Sequence, residues 1–124
     1  MDTKRILIID DESDIREVAQ ISLEMMGGWQ VLTSESGQDG LEKAKADQPD
    51  AILLDVMLPD MDGPTTLQNL QADPSTRHIP VVFLTAKIQA ADRNRFASLG
   101  VVAVIAKPFD PIDLASQVAE ALGW

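Results

Sequence analysis

Residues 51–63 read AILLDVMLPDMDG. The apolar run from Ala51 to Leu54 ends in a carboxylate, Asp55, and passes through Met57, Leu58 and Pro59 into a turn rich in Asp and Gly. A short apolar run bounded by turn signals matches a strand buried on both faces of a parallel sheet. Asp55 then stands where the strand reaches the rim, since an unpartnered charge cannot lie deep inside it. Taken alone, this carboxylate could equally begin a turn. What decides its role is what the rest of the chain brings to the same rim.

Ile6 to Ile9 is a second run of this kind, and it ends in Asp10, Asp11 and Glu12. Trp29 to Thr33, Val81 to Leu84 and Val101 to Ala106 read as three further strands. Helical spacing fills the intervals. Asp14 and Glu17 predict a capping box for the first helix. Ile15, Val18, Met25 and Met26, with Ala19 and Ser22 between, are expected to face the core before Gly27-Gly28 stops that helix. Ser36-Gly37 opens a second helix, which runs through Leu41 and Ala44 and ends before Pro49. Gly63-Pro64 opens a third, with Leu67 and Leu70 inward. A fourth runs from about Ala90 to Leu99, inward through Phe96 and Leu99 and capped by Gly100. Asp110 or Asp113 begins the last, on which Leu114, Val118 and Leu122 recur every four residues.

Strands alternating with helices imply right-handed crossovers and an α/β fold. The expected architecture is a flavodoxin-like, doubly wound, five-stranded parallel sheet of order 2-1-3-4-5 with helices on both faces. Ligands in such sheets bind beyond the carboxyl ends of the strands where strand order reverses, here between strands one and three.

Composition narrows the function. The chain, 124 residues with 45% hydrophobic, reads as one domain over residues 1–124. It has no cysteine, so disulfides and thiolate metal sites are excluded. No apolar run approaches a membrane span, and Met1 to Lys4 leads into a strand without a signal-peptide core, so a cytoplasmic location is expected. A net charge of −10 argues against direct nucleic-acid binding; acidity of this size more often serves solubility, but it raises the chance of a cation site. His78, the sole histidine, lies in the polar loop Asp73–His78 with no second histidine or cysteine nearby, and is assigned no ligand or base role.

At the carboxyl ends, strand one gives Asp10, Asp11 and Glu12, strand three Asp55, strand four Thr85 and strand five Lys107. Carboxylates at one rim repel, at about 4 kcal/mol per pair for roughly 4 Å and an effective dielectric near 20. A divalent cation and the Lys107 ammonium are the available remedies. Oxygen ligands without His or Cys favour a hard ion, and a few carboxylates with water favour magnesium over a caged calcium. An EF-hand reading of Asp60-Met61-Asp62-Gly63 fails because Leu58 stands where that pattern wants Asp or Asn. Magnesium beside a carboxylate, a hydroxyl and a lysine is equipment for a phosphoryl group, with Asp55 able to act as nucleophile. No Walker loop is present, so a nucleotide donor is disfavoured.

These residues resemble the receiver domain of two-component response regulators, in particular the single-domain, chemotaxis-regulator-like kind. The match rests on Asp10-Asp11 after ILII, Asp55 within LLDVMLPDMDG, Thr85-Ala86 after VVFL, and Lys107-Pro108-Phe109. The resemblance implies a signalling switch rather than an enzyme, in which Asp55 accepts phosphate from a histidine kinase or histidine phosphotransfer protein. It implies magnesium on Asp11, Asp55 and the Met57 backbone carbonyl, with Asp10 acting through metal-bound water. Thr85 and Lys107 would contact the phosphoryl group, and a cis peptide before Pro108 is common in the family. Met57 and Lys87 occupy positions that in the family tune phosphoryl lifetime.

One position departs from the pattern: many receivers carry Tyr or Phe three residues before the lysine, and here stands Val104. A short β-branched side chain has no ring to swing. Activation is therefore expected to remodel the loop from Thr85 to Ala91 and shift the face of helix four, strand five and helix five. No effector segment is expected after Leu122-Gly123-Trp124, so output would run through protein contact or onward relay. Two other readings are weighed. A pseudo-receiver without the chemistry is opposed by retention of every site residue. A small magnesium-dependent aspartyl-phosphate phosphatase is opposed by Met57 where a second carboxylate is wanted.

Overall fold

The computed structural model describes residues 3–86 and 90–124. Strands β1 (Arg5–Ile9), β2 (Gln30–Ser34), β3 (Ala51–Asp55), β4 (Val81–Thr85) and β5 (Ala103–Ala106) form one parallel sheet in the order β2-β1-β3-β4-β5. All residues of β3 and β4 are buried, as inner strands covered on both faces must be. This is the doubly wound order expected from the sequence, with its reversal between β1 and β3. Register then fixes the rim. Ile9 lies beside Leu54, Asp55 beside Leu84 and Thr85 beside Ala106, so the residues that follow β1 and β5 share one edge with Asp55 and Thr85.

Two cores flank the sheet because side chains alternate along each strand. On one face Ile6, Ile8, Leu53, Leu84 and Ile105 pack with α1 (Ser13–Gly27) and α5 (Leu114–Leu122) through Leu23, Leu114 and Val118. On the other, Leu7, Ile9, Leu54 and Phe83 meet α2 (Gly37–Asp47), α3 (Gly63–Ala72) and α4 (Ala90–Ser98) through Ala44, Leu70 and Phe96. Phe83 and Phe96 pack edge to face at 5.1 Å, and Val104 packs at the margin of this second core. Helix ends follow their local chemistry. Gly28 at φ +70° takes the left-handed position that closes α1, and Ser36 caps α2 by accepting the Asp39 amide. Asp62 caps α3 at the Thr65 amide, with Pro64 in its first turn.

Three expectations need correction. Val18, Met25 and Met26 are not core residues: they are 40%, 78% and 58% exposed. The buried stripe of α1 is instead Ala19, Ser22 and Leu23, whose i, i+3, i+4 spacing meets the sheet on its own and leaves the methionines outside. With Ile21 they make an exposed apolar patch beside Pro111. Nor does the capping box form. The helix begins at Ser13 with Glu12 as N-cap, which makes no side-chain cap bond, so Asp14 lies inside the first turn instead of at its start; the Glu12 amide donates to Asp10 Oδ1 at 2.9 Å. Finally, β5 starts at Ala103 rather than Val101. Residues 87–89 of the Thr85–Ala91 loop, Lys87 among them, lie outside the described residues. Among the described residues no helix is long and apolar enough to cross a membrane.

Candidate functional site

Asp10 leaves β1 fully buried. Its amide donates to the Ser34 carbonyl (3.0 Å) and its carbonyl accepts from the Arg16 guanidinium (2.8 Å), which leaves the carboxylate nowhere to turn but the rim. Asp55 closes β3, 3% exposed, with Oδ1 accepting the Met57 amide at 3.2 Å. Thr85, the buried last residue of β4, accepts the Lys107 amide on its carbonyl at 2.8 Å, so β4 steers the lysine inward. Lys107 Nζ lies 2.7 Å from Asp10 Oδ2, 3.2 Å from Asp55 Oδ2 and 3.4 Å from Glu12 Oε1. The Lys107–Pro108 peptide is cis.

One buried ammonium thus serves two buried carboxylates, and the electrostatics record the shortfall. Burial pushes the Asp55 carboxyl up from 3.8 to about 6, and the charge of Asp10 pushes in the same direction. The Met57 amide and Lys107 oppose this without cancelling it. Burial by itself would lower the Lys107 ammonium, but hydrogen bonding to Asp10 and the charges of Asp10 and Asp55 outweigh it and raise its pKa.

The residues fit a hard divalent cation. Asp10, Asp11, Glu12 and Asp55 each offer a carboxylate oxygen, all within 4.8 Å of one another. Asp10 Oδ2 is buried, with the Lys107 ammonium paired to it at 2.7 Å. A buried anionic oxygen is the donor a hard cation wants. Asp11 and Glu12 are exposed, so the cluster opens to water on one side, as magnesium, which keeps part of its hydration shell, requires.

Every residue singled out in the sequence at the ends of β1, β3 and β5 therefore meets here. Met57 lies beside them with its side chain 74% exposed. Glu12 was given no ligand role, yet its carboxylate joins the cluster; its place directly after Asp10-Asp11 is the signal that could have found it. Asp60, read only as a turn residue, lies across from α2 with both carboxylate oxygens engaged by the amides of Gly37 and Gln38, each at 3.0 Å. Nothing in the sequence marks that contact, because its partners are backbone amides 22 and 23 residues away.

Residues 6–119 match the family model described as the response regulator receiver domain. The chain is 41% identical over 116 residues to the response regulator PleD of Caulobacter vibrioides, covering 92% of this chain and 25% of that protein. It is 41% identical over 118 residues to the DNA-binding dual master transcriptional regulator RpaA of Synechocystis, covering 95% and 48%. The chain thus spans from a quarter to about half the length of these curated relatives. Among solved structures, a CheY-like response regulator receiver domain protein from Methanospirillum hungatei superposes with a TM-score of 0.86 at 28% identity, covering 98% of this chain and 95% of that one.

Proposed function

The chain belongs to the response regulator receiver domain family, a family of signalling modules, and from that premise we propose that Asp55 is its phosphoacceptor. The donor is a phosphohistidine on a histidine kinase or phosphotransfer protein. The observation that carries this reading is the buried Lys107 ammonium shared between Asp10 and Asp55, 2.7 and 3.2 Å away. No structural need explains such an arrangement, since replacing a buried ion cluster by apolar residues is often neutral or stabilising.

Asp11, Asp55 and the Met57 carbonyl would hold magnesium, with Asp10 next to it through water. When bound, the ion supplies positive charge against the phosphoryl oxygens. Lys107 keeps the Asp55 carboxylate ionised and then pairs with a phosphoryl oxygen. An Asp55 oxygen attacks phosphorus, the phosphorus–nitrogen bond breaks, and its electron pair returns to the imidazole of the donor. The product is an acyl phosphate on Asp55.

That product adds about −1.5 to −2 charges to the rim and three strong acceptors. The Thr85 hydroxyl and Lys107 are drawn to them, and the α4–β5–α5 face changes the protein partner it prefers. With Val104 on β5 this shift runs through the loop after β4 and not through an aromatic rotamer. Its reach is set by the partner's differential affinity for the two states.

Incubation with magnesium and acetyl phosphate, read by intact mass, is expected to add one phosphoryl group to the parent protein and none to Asp55→Asn. No gain in the parent, or equal gain in both, rejects the assignment. Addition of beryllofluoride is expected to move the amide resonances from Thr85 to Ala91, and unmoved signals there reject the route proposed for the switch.

A further inference from the structure

The loop from Val56 to Asp62 carries Met57, and its anchors are unevenly placed. At its base the Val56 amide donates to Leu84 (3.1 Å) and the Gly63 amide returns to the Val56 carbonyl (2.8 Å). Gly63 is glycine by necessity here, for a Cβ would stand 2.7 Å from Val56 Cα and 3.0 Å from the Asp55 carbonyl oxygen. Beyond Met57 come Leu58, which packs on the core, and Pro59, which has no amide to donate. The first polar anchor past the metal-side residue is Asp60.

Asp60 spans to a different element. Its Oδ1 accepts the Gly37 amide and its Oδ2 the Gln38 amide, the first two amides of α2. A helix cannot satisfy these donors internally. Ser36, the N-cap, takes the third, at Asp39. Ser36 and Asp60 therefore divide the helix start between them, and only Asp60 belongs to the loop. The contact is close as well as polar. A Cβ on Gly37 would lie 2.9 Å from Thr66 Oγ1 and 3.1 Å from Met61 Cβ, so α2 begins directly against the far end of this loop. The two amides also hold the Asp60 carboxyl below its ordinary range, as hydrogen bonds to the ionised form do.

We propose that Asp60 is a positioning residue for the metal site: its clasp on the N-terminus of α2 fixes the loop that presents the Met57 carbonyl to the carboxylate rim. The inference rests on the magnesium reading given above. It adds that α2, which contributes no ligand, sets the affinity of the site through one carboxylate. Asp60 touches neither substrate nor reacting atoms, so its role must show in metal affinity and loop order.

The test uses the unphosphorylated protein and magnesium alone. Calorimetric titration of Asp60→Ala is expected to show affinity lowered about tenfold, the lower end of the range for residues that orient metal ligands. Asp60→Asn, which keeps one acceptor for the α2 amides and loses the charge, is expected to fall between parent and alanine variant. Ser36→Ala loosens the same helix start without touching the loop and is expected to bind magnesium as the parent does. In metal-free buffer, amide hydrogen exchange at Gly37 and Gln38 is expected to quicken in Asp60→Ala. Unchanged affinity in Asp60→Ala, an equal loss in Ser36→Ala, or unchanged exchange at those amides overturns the proposal. A parent that binds no magnesium takes the metal reading down with it. A parent that binds magnesium and is phosphorylated, beside an Asp60→Ala protein that binds as tightly, removes the clasp alone.

Discussion

Removing the negative charge of Asp55 should stabilise the metal-free protein, and the gain should disappear with acid. Burial and Asp10 raise this carboxyl from 3.8 to about 6. At about 1.4 kcal/mol per pKa unit, the ionised form weighs against the fold by about 3 kcal/mol. The sign follows from linkage: a raised carboxyl contributes stability that is fully present below 3.8 and is lost as pH rises through about 6. Asp55→Asn stays neutral throughout and keeps an oxygen for Lys107. Thermal unfolding in chelator at about pH 7.5 should place the variant about 10 °C above the parent, from roughly 3–4 °C per kcal/mol for a chain of this size. Near pH 4.5 the difference should shrink to about 1 kcal/mol, because the folded parent is then protonated at Asp55. Magnesium at about a hundredfold over its Kd should return about 2.7 kcal/mol to the parent and close most of the gap. Coincident melting of the two proteins at neutral pH without metal, or a gap that persists undiminished in acid, would refute the electrostatic account of the rim.

Lys107→Met leaves Asp10 and Asp55 buried without their cation. It should cost about 3–5 kcal/mol in urea unfolding without metal, partly recovered by magnesium; a cost below about 1 kcal/mol would mean the ion pairs do not hold the rim together. Gly63→Ala presses a methyl group onto the Val56 backbone, which cannot yield as a side-chain tip can. A loss of about 1–3 kcal/mol or more is expected, with slower phosphorylation by acetyl phosphate, and an unaltered urea midpoint would show that the approach is not tight. On α1, Leu23→Ala should cost about 2–5 kcal/mol, whereas Met25→Glu should move stability by no more than about 0.5 kcal/mol. The reverse order would restore the methionines to the core.

The strands and the site were legible because each rests on a short-range signal. Buried parallel strands write themselves as unbroken apolar runs, and the polar residue ending each run marks the rim without knowledge of the tertiary structure. Strand order turned those marks into a cluster. The misreading of α1 has an equally physical origin. Its sequence is apolar on more than one side, so periodicity admits two stripes, and only contact with β1 and α5 selects Ala19, Ser22 and Leu23. The capping box failed for a related reason: Asp14 and Glu17 have the right spacing, but the helix starts earlier, at Ser13 with Glu12 as N-cap, which puts Asp14 inside its first turn. Asp60 was beyond reach altogether, since a carboxylate bound to backbone amides leaves no trace in the identity of its partners.

The two ends of the sheet divide the work of stability and function. At the far end Trp29 and Trp124 pack edge to face at 5.1 Å with Lys4 over the Trp124 ring, and both rings pack against the α1–α5 core. At the rim, four carboxylates cluster, and three of them, Asp10, Glu12 and Asp55, pair with a single buried ammonium. A site held with surplus charge responds to any cation or phosphoryl group that alters the balance, whereas a neutralised one would have nothing to gain from either. The surplus charge can be sustained because β1, β3 and β4 run buried and largely apolar as far as the rim, so it is confined to the carboxyl ends of the strands. Phosphorylation of Asp55, as proposed above, would therefore act on that rim and the loops beyond it rather than on the sheet.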